Sequence, residues 1–278
     1  MLDQVRQAVK AIAQREVMPR YLKVAHSRKA DGSLFTEADL ACQNALIEAL
    51  QRILPCPVIG EEMSEAEHHA SWAAGRDGVW CIDPIDGTSN FVHGIPYFGI
   101  SVALLRNGVS VLGVVYDPVL DEMFSAEAGR GAWLNENPLP ISQHTRSMHH
   151  AMAGIEFKRI PRNIALQLAG QPPFSSQRNF GASTLDWCYV AAGRLDIYLH
   201  GGQKLWDYAA GSLILQEAGG YFRSLEDNDF WNEDPWQRSV IAALDSELYS
   251  SWCTWLETAR QGEFVAGQTN AASREGSN

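Results

Sequence analysis

Residues 83–88 read Asp83-Pro84-Ile85-Asp86-Gly87-Thr88 and bring two carboxylates, a proline, a glycine and a hydroxyl into one short stretch. Two aspartates three positions apart offer oxygen ligands to a hard cation, and the following glycine and threonine can begin a helix whose N–H groups bind an anion. The same stretch is also ordinary turn chemistry, because Asp caps its own backbone, Pro presets φ and Gly adopts positive φ. Taken alone, it leaves a metal site and a tight turn open.

The residues before this stretch favour the metal site. Val79-Trp80-Cys81-Ile82 is apolar and predicts a short buried strand. Asp83 and Asp86 then follow the carboxyl end of a strand, where ligand sites of α/β proteins gather. The chemistry suggested is metal-assisted hydrolysis of a phosphate ester.

Composition and charge restrict the classes of protein to which this chain can belong. A length of 278 residues corresponds to about two domains or one large one, and 46% hydrophobic with 20% charged residues fits a folded globular chain. The formal net charge of −11 argues against binding to nucleic acid or to an anionic membrane, because both need a basic surface. The sequence contains neither a signal peptide nor an apolar run of membrane-spanning length, so we expect a cytoplasmic protein.

Apolar spacing predicts helices and strands along the chain. A first helix is expected over residues 2–24 and a second from its N-cap Thr36 to Pro55. Polar residues 27–35 predict a loop, and the acidic, His-containing residues 63–78 predict a solvent-facing excursion. Strands are expected over 98–105, 109–116, 122–126, 151–157 and 196–199, and helices near 164–168 and over 183–192 and 208–218.

This order of elements predicts an α+β or α/β fold in two domains. The first would cover residues 1–140 and carry most of the acidic site, and the second would cover 141–265 and close it. Residues 266–278 are small and polar, which predicts a disordered tail.

Acidic residues also stand at three other element boundaries. Asp39 opens the second helix, Glu61 follows a short apolar strand, and Asp207 lies at the start of a later helix. Any one of them is most simply a cap that complements the helix dipole. The set together with the opening stretch points to one site.

Three motifs carry a family resemblance. They are Gly60-Glu61-Glu62, the run from Trp80 to Gly94 that contains the opening stretch, and Trp206-Asp207-Tyr208-Ala209-Ala210-Gly211. With them the chain resembles the inositol monophosphatase family of metal-dependent phosphatases, from the first helix to about residue 245. The resemblance implies a layered α-β-α-β-α sugar-phosphatase fold and a homodimer that lithium inhibits.

The resemblance also implies two or three Mg²⁺ ions in each active site. Their ligands would be Glu61, Asp83, the carbonyl of Ile85, Asp86 and Asp207. Asp83 would bridge two ions, which suits an oxygen-only ligand set. A third, weaker ion would lie near residues 29–33.

Catalytic roles follow from the same resemblance. A metal-activated water for in-line attack would be oriented by Glu61 and Thr88, which would also take its proton. Thr88 would itself be hydrogen-bonded to Asp39. Backbone N–H groups of Gly87 and Thr88 would bind the phosphate. The substrate's alcohol portion would be contacted by Asp86, Gly181, Ser183, His200 and Asp207.

His200 departs from the family pattern. Inositol-processing members generally carry Glu seven residues before the metal-binding Asp, and an imidazole cannot accept hydroxyl hydrogen bonds as a carboxylate does. His200 could instead meet a second phosphate, and so could the basic residues Lys158, Arg159, Arg162 and Lys204, although a solvated surface also explains these. The adjacent His68 and His69 point apart on any regular element and are assigned no role.

The sequence therefore predicts a Mg²⁺-dependent phosphomonoesterase acting on a small phosphorylated alcohol, inositol monophosphate or a similar sugar phosphate. Alternatives are a fructose-1,6-bisphosphatase and a 3′(2′),5′-bisphosphate nucleotidase. An alternative of another class is a regulatory protein that binds the transcription machinery, a role attributed to some bacterial members of the family.

Overall fold

The computed structural model describes residues 1–23, 26–28, 34–140, 146–226, 229–231 and 234–261. The predicted third metal region at 29–33 and the predicted tail at 266–278 lie outside the described residues. The ends of the predicted loop at 27–35 belong to a two-stranded antiparallel ladder, in which Ser27 pairs with Phe35.

Eight α-helices and fourteen strands are described. The helices are α1 (Leu2–Ile12), α2 (Glu37–Ile53), α3 (Glu65–Ala74), α4 (Thr88–His93), α5 (Arg162–Gly170), α6 (Ser183–Ala191), α7 (Leu205–Glu217) and α8 (Ser246–Arg260). The strands are β1 (His26–Arg28), β2 (Leu34–Thr36), β3 (Val58–Gly60), β4 (Val79–Asp86), β5 (Gly99–Arg106), β6 (Val109–Asp117), β7 (Glu122–Glu127), β8 (Ala132–Leu134), β9 (Asn137–Pro138), β10 (Met152–Glu156), β11 (Ser176–Arg178), β12 (Ile197–Gln203), β13 (Tyr221–Arg223) and β14 (Arg238–Ala243).

A seven-stranded sheet forms the first half of the chain, in the order β3-β4-β5-β6-β7-β8-β9. Strand β3 runs parallel to β4, and each of the other neighbouring pairs is antiparallel. Asn107 and Gly108 join β5 to β6 with φ of 51° and 78°, the two positive values that a type I′ hairpin turn requires. The predicted hairpin is confirmed.

Alternation along each strand sends side chains to two different cores. Val102 and Leu104 of β5 pack with residues of α1 and α2, whereas Ala103 and Leu105 pack with residues of α6 and α7. This sheet is therefore covered by helices on both faces.

A five-stranded sheet follows, in the order β11-β10-β12-β14-β13. Tyr198 of β12 shares the core of α6 and α7, and the alternate residues Ile197 and Leu199 pack with α5 and α8. Helices α6 and α7 thus lie between the two sheets, which gives the order α-β-α-β-α. The predicted layered fold is confirmed, and the division into two domains at residue 140 stays a prediction.

Two predicted elements differ from those observed. The first helix ends at Ile12 and continues as a π-helical turn over Ala13–Val17, just before Pro19, which has no N–H to extend a helix. The predicted excursion at 63–78 contains α3, because Ser64 and Glu67 form a capping box that starts a helix in this acidic segment. Within the ranges given above, no helix combines the length and apolar character needed to cross a bilayer.

Candidate active site

Three aspartates from two distant parts of the chain form a carboxylate cluster. One carboxylate oxygen each from Asp83, Asp86 and Asp207 lies within 4.8 Å of the others. Asp83 and Asp86 end β4, whose register against β5 shifts between them, and Asp207 lies in the first turn of α7. Such an irregularity changes the direction in which a strand presents its side chains, which here brings both aspartates to one site.

The electrostatics of this cluster fit a divalent cation. Burial, together with the charges of Glu61, Asp86 and Asp207, raises the pKa of Asp83 well above its ordinary value. Burial and the charge of Asp86 likewise raise the pKa of Asp207, and burial raises the pKa of Asp86 to about 6. Three buried carboxylates repel one another when all are ionised, and a bound divalent cation offsets this repulsion. Carboxylate oxygens are also the ligands that a hard cation such as Mg²⁺ prefers.

Asp86 is fixed by the start of α6. Its Oδ2 accepts hydrogen bonds from the Thr184 backbone N–H at 2.6 Å and from the Thr184 hydroxyl at 2.7 Å. These donors lower the pKa of Asp86 and so favour its ionised, ligating form. The family resemblance places the turn 181–184 against the substrate, but the contact of Thr184 with Asp86 was not predicted, since 98 positions separate the two residues.

We expect Thr184→Val to weaken the site while preserving the fold, because the side-chain shape is kept and one charge-assisted hydrogen bond is lost. Loss of a hydrogen bond to a charged group corresponds to about a tenfold or greater fall in kcat/KM. In the Mg²⁺-dependent hydrolysis that the family resemblance implies, the Mg²⁺ concentration for half-maximal rate should rise, because loss of this donor raises the pKa of Asp86. Steady-state kinetics against Mg²⁺ measures both, with the exposed Thr254→Val as control. An unchanged Mg²⁺ dependence would show that Thr184 does not tune Asp86.

Thr88 and Asp39 contact each other near the cluster, and their catalytic roles stay predictions. The Thr88 hydroxyl donates to the Ile85 carbonyl at 3.0 Å and lies 3.4 Å from Asp39 Oδ1. Asp39 is buried, and its Oδ2 accepts from the N–H and the hydroxyl of Thr36 at 2.8 and 2.6 Å. The predicted capping box of α2 is therefore confirmed, and it holds Asp39 next to Thr88.

The remaining predicted residues of the metal site adjoin the same cluster. Glu61 lies close enough to Asp83 to raise its pKa by both charge and hydrogen bonding. Gly87 adopts φ of 89°, which turns the chain from β4 into α4, and its N–H interacts with the Asp86 carboxylate. All five predicted metal ligands thus belong to one corner of the molecule, and their roles stay predictions.

His68 connects two of these acidic segments. Its Nε2 lies 2.8 Å from the carbonyl of Gly60, which precedes Glu61, and its ring packs 5.0 Å from that of Trp206, which precedes Asp207. His68 is buried and His69 exposed, so the expectation that the pair points apart is right. The sequence pattern assigns His68 no role, whereas in the structure it contacts the residues that precede Glu61 and Asp207.

A cleft opens beside the carboxylate cluster. Its lining residues are Asp86, Glu156, Arg159, Asn179, Gly181, Ala182, Ser183, Asp186, His200 and Asp207. The five predicted substrate contacts all belong to this set. Of the basic residues considered, Arg159 lines the cleft, whereas Lys158, Arg162 and Lys204 are exposed and do not line it.

Two titratable side chains of the cleft have altered pKa values. Burial raises the pKa of Asp186, which accepts a hydrogen bond from the Tyr97 hydroxyl at 2.9 Å, to about 8. Burial and the nearby Arg159 charge lower the pKa of His200 to about 3, so its imidazole is neutral at pH 7. The His200 Nδ1 accepts from the Gly202 N–H at 3.1 Å, which leaves the proton on Nε2 as a donor.

Comparison with known proteins agrees with this geometry. The inositol monophosphatase family matches the chain over residues 2–261. The chain belongs to the inositol monophosphatase family. This confirms the resemblance that the three motifs carry.

Named relatives within the family include two kinds of protein. An inositol-1-monophosphatase of Caulobacter vibrioides is 31% identical over 262 residues, which cover 90% of this chain and 96% of the relative. A Nus factor SuhB of Pseudomonas aeruginosa is 40% identical over 195 residues, which cover 66% and 70%. An IMPase of Thermotoga maritima has a similar structure, with a TM-score of 0.79 at 26% identity over 94% of this chain and 98% of that one.

Proposed function

We propose that the protein is a Mg²⁺-dependent phosphomonoesterase that hydrolyses a small phosphorylated alcohol, with inositol monophosphate or a similar sugar phosphate as substrate. The carboxylate cluster of Asp83, Asp86 and Asp207, formed at the mouth of a polar cleft, carries this proposal. Membership of the inositol monophosphatase family supports the phosphatase class. Lithium inhibition, a homodimer and a cytoplasmic location are carried from the family as further proposals.

In this proposal two or three Mg²⁺ ions are held by Glu61, Asp83, the Ile85 carbonyl, Asp86 and Asp207. When bound, the ions supply Lewis acidity toward water and phosphate. The chain's own residues then handle the proton. When the Thr88 hydroxyl turns from the Ile85 carbonyl to Asp39 Oδ1, 3.4 Å away, it can give its proton to Asp39 and take one from the attacking water.

In this proposal the phosphate binds at the start of α4 to the backbone N–H groups of Gly87 and Thr88. The alcohol portion then extends into the cleft past Gly181 and Ser183. Fructose 1,6-bisphosphate and 3′-phosphoadenosine 5′-phosphate are the alternative substrates. Phosphate release at saturating Mg²⁺ from these two and from inositol 1-phosphate tests the proposal, and no release from any phosphomonoester would overturn it.

Replacing His200 by Glu is expected to shift this preference. A carboxylate at this position accepts hydrogen bonds from sugar hydroxyls and repels a second phosphate, neither of which the neutral imidazole does. We expect the ratio of kcat/KM for inositol 1-phosphate to that for fructose 1,6-bisphosphate to rise by roughly fivefold or more, about one good hydrogen bond. An unchanged ratio would show that His200 does not control selectivity.

A second candidate function is regulatory binding to the transcription machinery. Relatives named Nus factor SuhB, including one 40% identical, favour it. Pull-down from a cell extract with wild type and with Asp86→Asn would test this role. A transcription protein captured equally by both supports binding independent of catalysis, and capture of none by either would reject it.

A further inference from the structure

Glu156 and His200 are neighbours across two strands of the second sheet. Strand β10 runs parallel to β12, and Glu156 is in register with His200. Residues in register on adjacent strands present their side chains to the same face of a sheet, and both residues line the cleft. A carboxylate therefore lies next to His200 in the cleft.

The Glu156 carboxylate is held in place by two donors. Oε1 accepts from the Lys158 N–H at 2.7 Å, and Oε2 lies 3.3 Å from Nδ2 of Asn179, which also lines the cleft. A carboxylate has about four acceptor positions, so each oxygen keeps capacity for another hydrogen bond. Glu156 is thus oriented and still able to accept from a ligand.

The backbone beneath the cleft fixes this arrangement. A Cβ at Gly201 would lie 2.0 Å from the carbonyl oxygen of Arg159, a distance that no side chain tolerates. Glycine at 201 therefore lets the turn Phe157–Arg159 close against β12, and Arg159 donates to the Gly202 carbonyl at 2.8 Å. This contact keeps Glu156, at the end of β10, beside His200.

The pair offers complementary hydrogen-bonding groups. Glu156 accepts, and His200 Nε2 donates. A hydroxyl group both donates and accepts, so adjacent hydroxyls of a polyol fit such a pair. A second phosphate fits poorly at this position, because the Glu156 carboxylate beside His200 repels an anion and His200 itself is neutral.

We propose that Glu156 is a specificity-determining residue that accepts hydrogen bonds from substrate hydroxyls, with His200 as the neighbouring donor. The substrate class is then the monophosphate of a polyol with adjacent hydroxyls, in preference to a bisphosphate. This deepens the proposed function and rests on it, because the substrate phosphate is placed at the Asp83, Asp86 and Asp207 cluster.

The kinetic test compares inositol 1-phosphate with propyl phosphate, which has no hydroxyl. Glu156→Gln is expected to lower kcat/KM for inositol 1-phosphate about tenfold or more, the loss of a charged hydrogen bond, and to change kcat/KM for propyl phosphate less than about twofold. The exposed Glu247→Gln on α8 is the matched control and should change neither. Combining Glu156→Gln with His200→Glu moves the carboxylate from β10 to β12. The double variant should regain most of the preference for inositol 1-phosphate over propyl phosphate.

An equal loss on both substrates, or no loss on inositol 1-phosphate, would overturn the proposal. A binding measurement separates it from the proposed function. With Mg²⁺ present, inositol 1-phosphate should raise the Tm of wild type by more than propyl phosphate does, and Glu156→Gln should remove the difference. If that holds without any hydrolysis, the phosphatase proposal fails and the role of Glu156 stands. If both ligands shift Tm equally, the role of Glu156 is wrong.

Discussion

Asp83→Asn is expected to abolish Mg²⁺-dependent hydrolysis while leaving the fold intact. Asp83 is 1% exposed, and the charges of Glu61, Asp86 and Asp207 all act on it, so its carboxylate would belong to the donor set that holds a compensating cation. The amide of Asn keeps the shape and can still accept the Ile85 N–H at Oδ1, but it cannot supply the charge. We expect kcat/KM to fall by roughly a thousandfold or more, comparable to the removal of an essential electrostatic group.

The matched control is Asp77→Asn, an exposed aspartate before β4, which should retain wild-type kinetics. Circular dichroism and Tm in EDTA test the fold. Because the variant removes one of several like charges, its Tm in EDTA at pH 8 should equal or exceed that of wild type. Turnover of Asp83→Asn near the wild-type rate would contradict the proposed ligand role.

Removal of Mg²⁺ is expected to destabilise the protein, and more so at pH 8 than at pH 5. The pKa values of Asp83, Asp86 and Asp207 are raised in the folded state above the ordinary value of 3.8. Between that value and the raised pKa, the folded state binds more protons than the unfolded state, so stability falls as pH rises. For Asp86 this window runs from about 4 to about 6.

A bound divalent cation reverses this loss, because it stabilises the ionised carboxylates. At about 100 times its Kd, Mg²⁺ adds ~2.7 kcal/mol, which raises Tm by roughly 5 °C or more for a chain of this size. Thermal unfolding at pH 5 and pH 8, in EDTA and in Mg²⁺, measures the effect. The Mg²⁺ shift should be larger at pH 8 and much smaller in Asp83→Asn. Equal shifts at both pH values would argue against a cation at these carboxyls.

Local sequence signals were sufficient where the structure depends on near neighbours. The opening stretch is both a turn and part of an acidic site, because the irregularity between Asp83 and Asp86 is what brings their carboxylates together. The Thr36 to Asp39 capping box and the Asn107-Gly108 hairpin are likewise set by residues within a few positions of one another. Periodicity along the chain predicted most of the individual strands and helices. Their layered order was implied by the family resemblance, which the three motifs carry.

Long-range contacts were not predictable in this way. Thr184 fixes Asp86 across 98 positions, and Glu156 meets His200 only because β10 and β12 pair in parallel. His68 lies in an acidic segment that suggests exposure, and only the packing of α3 against Trp206 shows that it is buried. Each depends on strand pairing or helix docking that no short motif specifies.

We expect the carboxylate cluster to bind the divalent cation that phosphate monoester hydrolysis by this protein needs. The most direct measurement is the rate of phosphate release from inositol 1-phosphate by the wild-type protein, titrated from EDTA into Mg²⁺. We expect no turnover in EDTA and a saturable rise with Mg²⁺. The same turnover in EDTA as in Mg²⁺, or none at any Mg²⁺ concentration, would contradict the claim.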